Sequence, residues 1–229
     1  MIDTSRVNTT HRKVNYLAQL PLGAQPGSRA WVRQALRIRV ADGRRDAAAV
    51  GQIVRKAHYL RRWPCPPRTL ILSYLADLGG EGAAALAMVA LLPSQCHAIR
   101  ALDVHPCSVL TLCRNWRADD LGPATAPDLM PLILRRVVGG HMRSGLRPLA
   151  VEWSARKCRT DGLFAVPRLL VSYADPSVGH DGGLYRGAGA SFCGPGSQGR
   201  LLFAWALDPA LTEPLRQLAR AAEERHDAG

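Results

Sequence analysis

Residues 170–194 read LVSYADPSVGHDGGLYRGAGASFCG and bring several chemically active side chains close together. Asp175 and His180 can exchange protons with a substrate, and histidine titrates near neutral pH without special tuning. Tyr173 and Tyr185 offer aromatic faces that carry a hydroxyl group. The stretch is therefore either the floor of a reaction site or a strand–turn–helix connection whose polar residues cap and turn the chain.

Structural roles explain the same residues when each is taken singly. Asp175 precedes a proline, which is a common turn opener, and the Ser172 hydroxyl can bind neighbouring backbone. His180 can cap a following short helix. Gly179 and Gly182 permit a tight turn and also let a ligand approach the backbone closely. Only the combined spacing of the stretch favours a reaction site.

Two further stretches contain candidate side chains. His58 and Tyr59 lie in HYLRRWP at the end of a predicted helix, where histidine also favours the negative end of the helix dipole. Arg114 lies in LCRNW on a predicted strand, where an ordinary solvated arginine is the alternative. These stretches become informative only together with residues 170–194.

The charge of the chain predicts a polyanionic partner. The 229 residues carry a formal net charge of +12, almost all of it from arginine, and the sequence pI is about 10.2. Such a surface attracts nucleic acid, and the planar arginine fork suits phosphate and guanine. GC-rich coding is the alternative explanation for an arginine-rich and alanine-rich chain. The residues assigned to DNA contact are Arg61, Arg62, Arg147, Arg156, Lys157 and Arg159.

The cysteines and the apolar runs limit the cellular setting and the cofactors. The six cysteines form no C-x-x-C pair, and His105, Cys107 and Cys113 lack the spacing of metal ligands. We therefore expect no metal site. The first 20 residues have no continuous apolar run, and the longest such run, at 83–93, falls short of the roughly 20 residues that span a bilayer. The sequence predicts a cytoplasmic protein outside the membrane.

The hydrophobic patterns predict alternating strands and helices in one domain over residues 31–229, after a lead-in or arm over residues 1–30. Pro131 is expected in the first turn of its helix, where proline is tolerated. Residues 144–167 are either a basic DNA-facing insertion or an extra piece of sheet. The predicted strands are 31–42, 68–78, 83–93, 108–119, 168–173 and 200–208, and the predicted helices are 44–63, 126–145, 179–187 and 209–227.

This order matches the GNAT-type acyltransferase arrangement, an α/β fold with a mixed, mostly antiparallel sheet and helices on both faces. Within it, SYADPSVGHDGGLYRGAGASFCG resembles the bacteriophage Mom family of GNAT-like DNA-modification proteins, whose pattern is S-Y-A-D, then G-H-x-G, then Y-x-A and a final glycine. HYLRRWP and LCRNW are weaker matches to the same family. Together the matches cover roughly residues 30–205.

The resemblance implies a DNA-modifying transferase. Mom proteins add a carbamoylmethyl group to N6 of adenine in phage DNA, which protects the DNA from host restriction. An adenine amine is buried in the duplex, so the base must be flipped into a pocket. The resemblance implies that Tyr59, Tyr173 and Tyr185 stack on this base or orient the reactants. It gives Asp175 the role of accepting a proton from the amine or binding the purine edge.

The resemblance implies roles for the other candidates as well. His58 or His180 would be the general base or acid, and Arg114 would hold a phosphate or a developing negative charge on the donor. The substrate-binding residues would further include Ser172, Tyr185, Gly179 and Gly182. The expected partner is double-stranded DNA with a flipped adenine.

The donor is where the chain departs from a typical GNAT. Such enzymes bind the pyrophosphate of acyl-CoA at an R/Q-x-x-G-x-G/A turn that opens the helix after the fourth strand. Residues 118–130, ADDLGPATAPDLM, contain no such turn, and the nearest approximation, at 136–142, lies late in the helix. Acyl-CoA thus stays a possible but unassigned cofactor. Two alternatives also stay open: an acetyl-CoA-dependent N-acetyltransferase for a small-molecule or protein amine, and a catalytically silent DNA-binding module.

Overall fold

The protein was analysed as a computed structural model, which describes residues 33, 35–40, 70–78, 83–91, 97–117, 126–142 and 167–228. The predicted arm over 1–30, the predicted helix over 44–63 and the basic segment over 144–167 lie outside the described residues. No helix among the described residues has the length and apolar character needed to cross a membrane.

The described strands form one mixed sheet in the order β1-β2-β3-β4-β5-β7-β6. Only the β4–β5 pair is parallel, and the other neighbours in this sheet run antiparallel. The strands are β1 Leu36–Val40, β2 Leu70–Leu78, β3 Ala83–Leu91, β4 Val109–Arg117, β5 Leu169–Ala174, β6 Ser191–Pro195 and β7 Leu201–Ala206. The helices are α1 His97–Ala101, α2 Ala126–Met142, α3 Gly183–Gly187 and α4 Thr212–Asp227.

Side chains of the central strands alternate between two cores on opposite sides of the sheet. On one side, the α2 face, Leu110, Leu170 and Trp205 pack with the apolar side chains of α2. On the other side, the α4 face, Val109 and Leu169 pack with residues of α1 and α4. Successive strand residues point to opposite faces, so each central strand contributes to both cores. The predicted α/β class, with a mixed, mostly antiparallel sheet and helices on both faces, is confirmed.

The predicted hairpin of β2 and β3 is confirmed, but the predicted first strand is too long. β2 and β3 pair antiparallel along their length. Among the described residues of the predicted strand 31–42, Leu36–Val40 is strand, whereas Arg33 and Ala35 are helical. The guanidinium of Arg136 on α2 donates to the carbonyl oxygens of Arg33 and Leu36. These two bonds hold the residues before β1 against α2, away from a strand ladder.

Two short elements and one proline position differ from the prediction. α1 and β6 were not predicted, because five residues are too few to show a periodicity. Pro131 lies inside α2 beyond its first turn, so the expected first-turn position is wrong. Its ring is within 3.5 Å of the position that a Cβ on Gly187 would occupy. The proline thus packs where α2 meets α3, and this contact accounts for its place in the helix.

Candidate active site

The candidate site lies where the parallel strands β4 and β5 separate. Their ladder ends at Leu112 and Ser172, whereas β4 continues to Arg117 and β5 to Ala174. The register of β4 against β3 skips Cys113, which forms a β-bulge at the point of separation. A bulge bends its strand and increases the local twist. The ladder thus stops before either strand ends, and we call the open interval between β4 and β5 beyond Leu112 and Ser172 the wedge.

The Ser172 side chain adds a hydrogen bond to the last pair of this ladder. The residue is 1% exposed, and its hydroxyl donates to the carbonyl oxygen of Leu112 across a distance of 3.1 Å. Ser172 was predicted to bind substrate. In the structure its hydroxyl instead bonds the neighbouring strand and marks the point where the wedge between β4 and β5 begins.

Asp175 is the first residue after β5 and caps a 3-10 turn over Pro176–Val178. Its Oδ1 atom accepts hydrogen bonds from the Ser177 backbone amide at 3.1 Å and from the Ser177 hydroxyl at 2.5 Å. The hydroxyl bond holds the pKa of the Asp175 carboxyl below its ordinary value, and the nearby Arg200 and His180 act in the same direction. The group is therefore a carboxylate at neutral pH.

Arg200 is a site residue that the sequence did not reveal. It ends the turn between β6 and β7, and its Nε atom lies 3.9 Å from the Oδ2 atom of Asp175. Arg200 lies 25 positions along the chain from Asp175, and only the antiparallel pairing of β5 with β7 brings the two together. No local motif could have indicated this contact, since it requires the strand order.

Gly179 and Gly182 lie in a turn where the sequence predicted the start of the helix 179–187. Gly179 and Gly182 have φ values of +79° and +85°, so the chain is not helical there and α3 begins at Gly183. A Cβ on Gly182 would lie 2.1 Å from the ring of Phe203, whereas nothing lies within 4 Å of one on Gly179. Gly182 is thus required for close packing of the turn on the sheet.

His180 lies between these glycines with its side chain exposed. Its backbone amide donates to the carbonyl oxygen of Asp175 at 3.1 Å, which closes the turn. The side chain that binds the start of α3 is that of Asp181, whose Oδ1 atom accepts from the amide of Gly183 at 2.8 Å. Asp181 thus takes the capping role that the sequence offered to His180.

The rings of Tyr173 and Tyr185 lie on opposite faces of the sheet. Tyr173 packs on the α4 face, and its ring lies against Gly196 in the turn between β6 and β7. Tyr185 packs on the α2 face, with ring centroids 5.4 Å from Phe203 and 5.8 Å from Trp205. The two rings of the motif thus pack in different cores. The Tyr185 hydroxyl donates to the Tyr173 carbonyl oxygen at 3.5 Å, which links the two residues.

A cation covers the aromatic group around Tyr185. The guanidinium carbon of Arg186 lies 5.2 Å from the ring centroid of Phe192 and 5.3 Å from that of Phe203. Both rings are buried, whereas Arg186 is exposed. Arginine favours such stacking on aromatic faces. Next to the turn after β5, the protein thus presents an arginine that two aromatic rings hold in place.

The remaining candidates cannot be placed in the site from the described side chains. The Arg114 backbone is on β4 directly beyond the bulge, which agrees with the predicted strand, and its side chain is not described. The other predicted residues lie outside the described residues: His58, Tyr59, Arg61, Arg62, Arg147, Arg156, Lys157 and Arg159. Within the part of the chain that the structure describes, no group of three His, Cys, Asp or Glu residues could hold a metal ion.

Comparisons with known proteins give similarity in fold alone. No protein-family model matches the chain, and no curated protein matches its sequence. Among solved structures, aminoglycoside acetyltransferase AAC(6')-Ib with paromomycin and acetyl-CoA matches with a TM-score of 0.44 and 14% identity, over 75% of this chain and 93% of that one. The same enzyme with coenzyme A and kanamycin matches with a TM-score of 0.45 and 13% identity, over 80% of this chain and 98% of that one. These values concern the arrangement of strands and helices, not the chemistry of the site.

Proposed function

We propose that this protein is a transferase that adds a carbamoylmethyl group to N6 of adenine in phage DNA and thereby protects the DNA from host restriction. The observation that carries the proposal is the place of the SYAD and GHDG residues in the fold. Asp175 and the turn that contains His180 directly follow the point where β4 and β5 separate. The motif of the Mom resemblance and the wedge in the sheet thus coincide.

The wedge is a place where a ligand can bind. In open α/β sheets, ligands bind in the crevice outside the carboxyl ends of the strands, at a topological switch point where the strand order reverses. β4 beyond Leu112 pairs with β3 on one side, while its ladder with β5 has ended on the other. An extended ligand with amide groups can line such a strand edge, as peptides do in β-strand addition.

The Asp175 carboxylate suits transfer to an amine. When N6 of adenine attacks the electrophilic carbon of the donor, the N–C bond forms, the bond to the leaving group breaks with its electron pair, and positive charge develops on the nitrogen. A carboxylate nearby stabilises this charge and accepts a hydrogen bond from the amine. The lowered pKa of Asp175 keeps the group ionised for that role. His180, exposed on the same turn, is our candidate for the final proton acceptor.

The target base must leave the duplex to reach these groups. The Tyr185 ring belongs to an aromatic group on the α2 face, beside the turn, and stacking on aromatic side chains is how proteins hold flipped bases. His58, Tyr59 and Arg114 are proposed to complete the pocket on the basis of the Mom resemblance. The formal charge of +12 supports DNA as the partner and, with it, action in the host cytoplasm.

The donor stays unassigned because the usual pyrophosphate turn is missing from the sequence. The nearest approximation begins at Arg136, and that guanidinium binds the carbonyl oxygens of Arg33 and Leu36. Residues 136–142 are part of α2 and do not open it. Acetyl transfer would also leave N–C(O)–CH3, whereas the carbamoylmethyl product is N–CH2–C(O)–NH2. We therefore propose either a donor other than acetyl-CoA or an additional step.

Mass analysis of nucleosides tests the proposal. DNA from cells that express the protein is digested, and deoxyadenosine is compared with that from cells expressing Asp175→Asn. We expect a new nucleoside only with the wild-type protein, heavier than deoxyadenosine by the carbamoylmethyl group less the hydrogen that it replaces. Folded wild-type protein with unmodified DNA would contradict the proposal.

The wedge also favours a second function, acyl-CoA-dependent N-acetylation of a small-molecule or protein amine. The pantetheine arm of CoA contains two amide groups that can line the open edge of β4. This function predicts saturable acetyl-CoA binding without DNA, which calorimetry measures. If the protein binds DNA, leaves it unmodified and does not bind CoA, it is a silent DNA-binding module.

A further inference from the structure

The Asp175 carboxylate has two different oxygen environments. Oδ1 accepts both hydrogen bonds from Ser177, which is the ordinary behaviour of an aspartate that caps a turn. Oδ2 faces Arg200 at 3.9 Å and, among the described residues, accepts no shorter hydrogen bond. Turn capping explains the position of Oδ1. It does not explain why an arginine from the turn between β6 and β7 lies next to Oδ2.

The turn that carries Arg200 is tightly built. The Gly196 amide donates to the Arg200 carbonyl oxygen at 2.6 Å, and the Arg200 amide donates to the Ser197 carbonyl oxygen at 3.3 Å. Gln198 takes the left-handed conformation with a φ of +60°, which is uncommon outside glycine. These features fix the backbone of Arg200 next to the carboxyl end of β5.

Tyr173 couples this turn to the SYAD motif. A Cβ on Gly196 would lie 3.1 Å from the Tyr173 ring, so the ring lies directly on the turn. The tyrosine and the aspartate of the motif are thus two residues apart on the chain and contact the same β6–β7 turn. A turn that served only to join β6 and β7 would not need both contacts.

We propose that Arg200 is a positioning residue, which holds the Asp175 carboxylate from the side of Oδ2 while Ser177 holds it from the side of Oδ1. This role rests on the proposed function, in which Asp175 meets the substrate amine. At 3.9 Å the guanidinium fixes the position of the carboxylate by its charge and leaves Oδ2 able to accept a hydrogen bond from the amine. The charged and titratable groups that face Asp175 are Arg200 and His180.

A pair at the other end of β5 supplies a matched control. Arg168 and Asp208 are 2.8 Å apart, and their side chains are exposed to a similar degree as those of Arg200 and Asp175. Asp208 also caps a 3-10 turn that begins with a proline, Pro209–Leu211. Arg168→Gln therefore removes an equivalent arginine from an equivalent cap, away from the wedge.

The experiment follows the Asp175 carboxyl carbon by NMR through a pH titration in wild-type protein, Arg200→Gln, Arg200→Lys and Arg168→Gln. Loss of the positive charge raises the pKa of Asp175 in Arg200→Gln, while Arg200→Lys restores most of the low value and Arg168→Gln leaves it unchanged. An Asp175 titration that is the same in Arg200→Gln as in wild type overturns the inference. This readout needs no substrate and does not depend on the proposed function.

The rate of DNA modification is then measured against pH with the same proteins. Because the reaction needs the carboxylate, its acid limb moves to higher pH in Arg200→Gln in step with the titration, and it stays in place in Arg168→Gln. An active Arg200→Gln with an unmoved acid limb overturns the positioning role. A wild-type protein that modifies no DNA at any pH overturns the proposed function instead, and the two failures are thereby distinguished.

Discussion

Each end of β5 lies next to a capping aspartate that faces an arginine, but the distance between the two side chains differs. At each end an aspartate precedes a proline, caps a 3-10 turn through Oδ1 and faces an arginine through Oδ2. At the amino end, Arg168 and Asp208 form a direct ion pair of 2.8 Å. At the carboxyl end, Arg200 and Asp175 are 3.9 Å apart. Oδ2 of Asp208 thus accepts a direct hydrogen bond from its arginine, whereas Oδ2 of Asp175 is beyond hydrogen-bond distance of Arg200.

The neighbouring sheet explains this difference. At the amino end β4 and β5 are joined in a ladder, and the Arg168 carbonyl oxygen accepts from the amides of Leu207 and Asp208. At the carboxyl end the ladder has stopped at Leu112 and Ser172, before either strand ends. A capping motif therefore carries no function by itself. Its position relative to the wedge decides whether it is a structural or a reactive group.

The strongest test of this difference is to substitute each capping aspartate separately, as Asp175→Asn and as Asp208→Asn. We expect Asp175→Asn to lower the rate of the modification reaction by about 100-fold or more, the usual effect of a positioned acid–base group. Asp208→Asn should leave the rate within about twofold and cost less than about 1 kcal/mol of stability, because asparagine still caps the turn and only the partly exposed ion pair with Arg168 is lost. Quantitative mass analysis of nucleosides and thermal unfolding give the two readouts. Equal loss of activity in both variants would mean that the two caps are equivalent.

Gly182→Ala tests how firmly the carboxyl-end turn is held on the sheet. We expect a loss of roughly 2 to 4 kcal/mol, because the new methyl group meets Phe203 and the backbone is left-handed. Gly179→Ala is the matched variant, with a similar φ and open space around it, and should cost about 1 kcal/mol. Urea unfolding measures both. If the two variants lose equal stability, the turn does not pack on Phe203 as described.

Ser172→Ala tests the end of the ladder. Removal of the hydroxyl leaves the Leu112 carbonyl without this donor, and we expect a cost of about 1 kcal/mol in the free energy of unfolding. Ser191→Ala, at a partly exposed strand position, should change stability by less than about 0.5 kcal/mol. A rate of modification that collapses in a stably folded Ser172→Ala would instead give this serine a direct role in the chemistry.

Arg168→Gln should have the smallest effect. The ion pair with Asp208 is partly exposed, and such pairs contribute below about 1 kcal/mol. In urea unfolding at low salt, Arg168→Gln should be slightly less stable than the wild type. At high salt the ion pair of the wild type is screened, so the free energies of unfolding of the two proteins should become equal. A loss that salt does not reduce would show that the amino-end pair acts through packing rather than charge.

Strong local patterns made most of the central sheet predictable. The apolar runs around GGEG gave the β2–β3 hairpin, and alternation gave β4, β5 and β7 within one or two residues at most ends. β6 could not be recognised because Gly194 and Pro195 at its end are typical of turns. α1 has a single helical turn and no periodicity to detect.

The candidate site was only partly accessible from the sequence. Asp175 and His180 stood out through their spacing, and the structure places both in the turn after β5. The ring of Tyr173 follows the alternation of β5 to the α4 face, whereas Tyr185 lies on α3 and packs on the α2 face, a difference that local spacing does not show. Arg200 required knowledge of the strand order. Residues that meet across a sheet leave no trace in local spacing.

The β4–β5 ladder also has a consequence for folding kinetics. Ser172 and Leu112, which close it, are 60 positions apart, whereas the β2–β3 and β6–β7 pairs connect neighbours in the chain. Pairs of high sequence separation form late because closing a long loop costs entropy before any contact is made. We expect the hairpins to form first and the parallel pair to complete the sheet. The β4–β5 ladder, at whose end the wedge lies, would then be the last part of the sheet to form. We expect it to be the first part to open on unfolding.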